Sequence, residues 1–68
     1  MKLNELRKER GYSQADLAQK LKCKQPVISR MEHQGSMNIR SLKDYIEALG
    51  GELELKASFR GQVESIEL

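Results

Sequence analysis

Gln14-Ala15-Asp16-Leu17-Ala18-Gln19-Lys20-Leu21-Lys22-Cys23-Lys24-Gln25-Pro26-Val27-Ile28-Ser29-Arg30-Met31-Glu32-His33 is the stretch that decides the fold. Leu17, Ala18 and Leu21 recur at helical spacing, and the spacing restarts beyond Cys23 with Val27, Ile28 and Met31. Two short helices around a tight turn follow. Ser13 is a natural N-cap for the first, with Asp16 completing a capping box that uses a shorter acid. Tyr12, just before the cap, can pack on Leu17 as a hydrophobic staple. The second helix begins near Lys24 or Gln25. Pro26 is tolerated there because first-turn N–H groups have no intrahelical partner. Gly35 marks its exit. Ala18 supplies the small residue that two steeply crossing helices need at their closest approach.

Working outward, Lys2 to Arg10 reads as a helix with Leu3 and Leu6 facing inward, ended by a left-handed Gly11. Downstream, Ile39, Leu42, Ile46 and Leu49 form an amphipathic stripe. It belongs to a helix from about Ile39 to Leu49, capped by Asn38 and stopped by Gly50-Gly51. The period then changes to two across Glu52 to Phe59, which predicts a strand with one buried face. Arg60-Gly61-Gln62 offers a turn, and Val63 to Leu68 a second, weaker strand. The expected class is mainly α. A four-helix helix-turn-helix domain over residues 1–51 is followed by a C-terminal β-strand or hairpin over residues 52–68.

A chain of 68 residues is marginal as a lone domain. With one cysteine, Cys23, and one histidine, His33, it can form neither an internal disulfide nor a Cys/His metal cage. Self-association is the remaining source of stability. Cys23 reads as a small hydrophobe of the turn rather than a redox thiol, and Met31 and Met37 as core fillers. The strand at Glu52 to Phe59 has two uses: an in-chain hairpin packed on the last helix, or pairing with the same strand of a second subunit. Because a lone two-stranded hairpin is marginal in water, the shared sheet is favoured. Leu53, Leu55, Ala57 and Phe59 would then form the homodimer contact.

Charged residues at Lys2, Glu5, Arg7, Lys8, Glu9 and Arg10 interrupt any signal-peptide run. No apolar stretch approaches the roughly 18 residues of a membrane span, so a cytoplasmic setting without membrane contact is expected. The net charge of +2 hides an asymmetry: residues 1–43 hold ten Lys/Arg and four Asp/Glu, residues 44–68 two and six. The first part suits a polyanion; the alternative is a salt-bridged dipolar surface with no ligand.

The second helix of the motif leaves Lys24, Gln25, Ser29, Arg30 and His33 on a free face. A DNA major groove about 12 Å wide admits one helix, and Gln and Arg suit adenine and guanine edges within it. Lys24 and the amides near Gln14 would meet phosphates. His33 either touches a phosphate or caps the solvent end of its helix. Arg7, Lys8 and Arg10 read as a solvated face. No set of His, Cys, Ser and Asp provides a nucleophile, base and orienter, so neither catalysis nor a cofactor is expected.

Leu6-Arg7-Lys8-Glu9-Arg10-Gly11, Ser13-Gln14-Ala15-Asp16-Leu17-Ala18 and Gln25-Pro26-Val27-Ile28-Ser29-Arg30-Met31-Glu32 resemble the XRE/Cro family of bacterial and phage repressors. The resemblance covers roughly residues 3 to 50. It implies a repressor-like domain that binds double-stranded DNA, with Gln14 on phosphate and Lys24, Gln25, Ser29 and Arg30 on the groove side. Arg40 would reach phosphates or the minor groove. Base reading then falls to Gln25, Ser29 and Arg30, and phosphate contact to Gln14, Lys22, Lys24, His33, Asn38 and Arg40. Two positions depart from the family: Lys22 stands where the turn usually has Gly, and Lys24 where the helix usually has a Ser or Thr cap. Each departure costs about 1 kcal/mol, and each lysine adds phosphate-seeking charge.

The segment from Asn38 to Leu55 is similar to the end of HigA-type antitoxins. That similarity implies a RelE-like toxin partner that cuts mRNA, and repression of the shared operon. A dimer would set two recognition helices about 34 Å apart on a palindromic operator. Glu52, Glu54, Glu64 and Glu67 would face a basic toxin or serve solubility. A free-standing phage-type repressor, and a protein-interaction module that no longer touches DNA, remain as alternatives.

Overall fold

The computed structural model describes residues 2–34 and 37–67. Four helices come first: α1 (Leu3–Glu9), α2 (Gln14–Lys20), α3 (Gln25–His33) and α4 (Ile39–Ala48). Two strands follow, β1 (Leu55–Phe59) and β2 (Gln62–Ile66). This is the mainly helical architecture with a terminal hairpin that the periodicity predicts. The expected exit of α3 at Gly35 lies outside the described residues.

Local chemistry sets the helix boundaries. Gly11, at φ +82°, turns the chain out of α1. The Ser13 hydroxyl accepts the Asp16 N–H at 3.0 Å, and the Asp16 carboxylate accepts the Ser13 N–H at 2.8 Å. Donation to that carboxylate, from the Ser13 N–H first and from the Ser13 side chain second, holds the Asp16 carboxyl below its usual range. Asn38 Oδ1 accepts the Ser41 N–H at 2.7 Å and opens α4. Lys24 heads α3 with no side-chain cap, and Pro26 sits in its first turn.

Leu17, Ala18, Ile28, Tyr45 and Leu49 form the buried core. Leu3, Leu6, Tyr12, Leu21, Cys23, Met31, Ile46 and Ala48 pack around it, half-buried. Cys23 is thus the small turn hydrophobe expected, and Tyr12 joins the cluster containing Leu17. Two expected stripe members lie elsewhere: Val27 and Ile39 are 40% and 43% exposed. Ile39 belongs to the first turn of α4 and Val27 to the first turn of α3. The centre of the α4 face is Tyr45, fully buried. It sits three residues after Leu42 and four before Leu49, a position whose phenol requires a polar partner inside the core.

The hairpin pairs Leu55 with Ile66 and Phe59 with Gln62, antiparallel. Arg60 (φ +37°) and Gly61 (φ +88°) form its two-residue loop. Positive φ at both positions is the sign of a type I′ turn, which matches the right-handed twist of the strands. Glu52 to Glu54 precede β1 without strand pairing, so the strand is shorter than the alternation suggests. Its apolar face is only partly covered: Leu53, Leu55 and Ala57 are half-buried, while Phe59 is 64% and Ile66 49% exposed. The molecule measures 42 × 21 × 19 Å. Only the near end of the hairpin approaches α4, where Lys43, Glu47, Leu53, Leu55 and Ile66 line one open groove. Among the described residues, no helix is long and apolar enough to cross a membrane.

Candidate nucleic-acid interface

The turn between α2 and α3 aims the second helix. Lys22 adopts φ +56°, the left-handed conformation that Gly reaches without strain. The Cys23 N–H then donates to the Ala18 carbonyl at 2.9 Å, closing the turn over the buried Ala18. Ile28 anchors α3 in the core, with Met31 and Glu32 beside it. The opposite side carries Lys24, Gln25, Pro26, Arg30 and His33, all exposed, with Ser29 half-buried among them. Spacings of four residues place Gln25 with Ser29 and His33, and Pro26 with Arg30, on this outward face.

Two of these side chains are held in place. His33 Nδ1 lies 2.7 Å from the Ser29 carbonyl. A carbonyl only accepts, so Nδ1 carries the proton and the ring is clamped along the helix. Gln25 Nε2 donates to Gln14 Oε1 at 3.3 Å. Gln14 Nε2 in turn donates to Glu32 Oε1 at 3.0 Å. Gln14 therefore bridges the outward face of α3 to the core rather than standing free in solvent.

Glu32 is the hub of a buried network that the sequence reading missed. Arg7 Nε donates to Glu32 Oε2 at 2.7 Å and Nη2 to Oε1 at 3.3 Å. Arg7 Nη1 reaches the Tyr12 carbonyl at 2.9 Å. The Tyr45 hydroxyl donates to Glu32 Oε2 at 2.6 Å, with the Leu3 carbonyl 3.3 Å away. The expectation that Arg7 belongs to a solvated face is overturned: its side chain is 9% exposed and that of Glu32 only 2%. Leu3, Leu6 and Arg7 run at i, i+3 and i+4, so Arg7 lies on the apolar stripe of α1. Glu32, four residues after Ile28, lies on that of α3. A charged residue of each sign at stripe positions was the available signal.

Burial pushes the Glu32 carboxyl up. Donation from Arg7, Tyr45 and Gln14, together with the charge of Arg7, outweighs it and leaves the group below its ordinary value. The Tyr45 phenol is driven well above its usual range, by burial first and then by its bond to Glu32 and that group's charge. The bond to Glu32 likewise raises Arg7, against burial.

The other candidate residues are spread over the turn, α4 and the hairpin. Lys22 and Lys24 flank the turn, both exposed. Arg40 is exposed in the first turn of α4, beside Asn38, whose oxygen is engaged in its cap. Leu53, Leu55, Ala57 and Phe59 stand apart on the hairpin. Pro26 and Val27 add apolar surface to α3 that the sequence reading did not include in the interface.

A family model described as a helix-turn-helix domain matches residues 1–58. The chain belongs to this helix-turn-helix family. Two solved structures match it over nearly their whole length at 30% sequence identity. One is the DNA-bound antitoxin HigA3, with a TM-score of 0.92, covering 100% of this chain and 91% of that one. The other is a HigA antitoxin described for induced DNA bending by unique dimerization, with a TM-score of 0.90 and coverage of 98% and 92%. No curated protein sequence matches the chain. As a helix-turn-helix protein with the HigA architecture, it presents α3 in the position of a recognition helix.

Proposed function

We propose that this helix-turn-helix protein is a sequence-specific DNA-binding repressor and the antitoxin of the operon it controls. The observation that carries the reading is the outward face of α3. Gln25 and Arg30 protrude from a helix anchored by Ile28, on a fold shared end to end with a DNA-bound HigA antitoxin. Gln25, Ser29 and Arg30 read base edges. Lys22, Lys24 and Arg40 meet phosphates, with the remaining capacity of Gln14, His33 and Asn38 at the margins. The protein acts by occupying DNA, not by catalysis.

Residues 1–51 form the DNA-binding unit and residues 52–68 the assembly unit. The partly exposed apolar side of the hairpin, from Leu53 and Leu55 to Phe59 and Ile66, suits a second copy of the chain across a two-fold axis. In-chain pairing with β2 occupies one edge of β1 and leaves its other edge and this face for that contact. The two recognition helices then meet successive major grooves of a palindromic operator. The acidic residues Glu52, Glu54 and Glu67 face a basic RelE-like toxin, while Glu64, cross-strand from Ala57, lies on the side given to the second copy.

The test is binding of the full chain to the DNA upstream of its own gene. A symmetric footprint is expected, with an affinity that falls steeply as salt rises. Arg30→Ala should cost about 1–3 kcal/mol and relax one operator position. Equal losses on operator and random DNA would remove Arg30 from base reading, and absence of any selective footprint would overturn the repressor reading. The toxin assignment is checked separately, by co-purification with the product of an adjacent small basic gene.

A further inference from the structure

We infer that Glu32, on the inward side of the recognition helix, fixes which base Gln25 prefers by orienting the two carboxamides that lie between the core and the groove. The inference rests on the base-reading role proposed for Gln25 and adds a residue that never touches DNA.

A carboxamide has one accepting and one donating end of nearly equal size, so a free glutamine can present either. An ionised carboxylate can only accept. Glu32 Oε1, 3.0 Å from Gln14, therefore demands the N–H end of that side chain. Gln14 Oε1 is left facing Gln25, 3.3 Å from its Nε2. Were Gln25 to flip, two carbonyl oxygens would confront each other. The orientation imposed leaves Gln25 with a free oxygen and one remaining N–H. That pairing of acceptor and donor complements N6–H and N7 of adenine. A flipped amide, offering its N–H groups outward, would suit the acceptors of guanine instead. Arg7 and Tyr45, both donating to the same carboxylate, keep Glu32 acceptor-only. Order passes from the core to the groove through hydrogen-bond polarity alone.

The experiment selects bound sequences from a randomised duplex pool with the full chain and compares base preference position by position. Gln25→Ala identifies the position that Gln25 reads. Gln14→Met keeps the length of the side chain and leaves the Arg7–Glu32–Tyr45 cluster intact, so folding is not in question. At the Gln25 position it should reduce an adenine-over-guanine preference of about tenfold to about threefold or less, with other positions unchanged. Glu32→Gln, whose carbonyl oxygen is claimed by Arg7 and Tyr45 so that its N–H end faces Gln14, should do the same. Tyr45→Phe removes a bond from the same carboxylate without changing its polarity. It should lower stability and leave the preference intact.

If Gln14→Met and any folded Glu32→Gln protein keep the wild-type preference at that position, the inference is wrong. It is equally wrong if preference decays alike at every position, or if Tyr45→Phe relaxes the Gln25 position too. If Gln25→Ala changes no position, the base-reading assignment itself has failed, a result distinguishable from these.

Discussion

Replacing Arg7 with methionine keeps most of the stem and removes a guanidinium that makes three hydrogen bonds, two to Glu32 and one to the Tyr12 carbonyl. Glu32, 2% exposed at its side chain, would retain only the donors of Tyr45 and Gln14. Removing one partner of a buried ion pair costs about 3–5 kcal/mol. With two donors remaining, the lower end applies, about 3 kcal/mol. A chain of this size is stable by roughly 3–10 kcal/mol, and each kcal/mol corresponds to about 4–8 °C. The melting temperature of Arg7→Met should therefore fall by about 12–24 °C. Removing both charges, in Arg7→Met with Glu32→Met, should recover most of that loss, because no buried charge is then left uncompensated.

The pH dependence supplies an independent check. In the wild type the Glu32 carboxyl is held below its ordinary value. Its contribution is therefore present above that value and is lost as pH falls through the lower folded value. In Arg7→Met, burial is no longer offset by the cation, so the carboxyl moves up and takes a proton on folding. Its penalty then shrinks as pH falls from 7 towards the ordinary carboxylate range, and the gap between the two proteins should narrow. Urea unfolding followed by circular dichroism, at matched protein concentration because a dimer's stability depends on it, measures both effects. A loss under 1 kcal/mol at pH 7, or a gap that widens on acidification, would refute this account of the core.

Lys22→Gly relieves a left-handed residue at φ +56° and should raise stability by about 1 kcal/mol. Removing that positive charge should also lower the slope of DNA affinity against salt by about one ion, readable from titrations at several salt concentrations. Asn38→Ala deletes the cap on Ser41 and should cost about 1 kcal/mol by thermal unfolding; no change would mean that the start of α4 is held by other contacts. Gly61→Val has open space around the new side chain but requires φ +88° of a branched residue. It should strain the hairpin turn by at least about 1 kcal/mol and, if the hairpin joins two copies, shift light-scattering mass towards the monomer.

Helix order, caps and the change from a helical to a strand period were all legible in the chain. They depend on neighbours a few residues apart: Ser13 with Asp16, Asn38 with Ser41, Gly11 and Gly50 at exits, alternating Leu53, Leu55, Ala57 and Phe59. The outward position of Gln25 and Arg30 follows from the same local rule, since Ile28 must point inward. Periodicity set Arg7 and Glu32 on apolar stripes, but tertiary structure alone decided that the two are buried against each other. Arg7 and Glu32 stand 25 residues apart and can be buried only because three helices bring them together over Tyr45, and no local pattern specifies that meeting. The same convergence ties Gln14 to both the core and Gln25. Periodicity sets the face on which a side chain lies, whereas its hydrogen-bond partners are chosen by whatever the fold delivers from elsewhere in the chain.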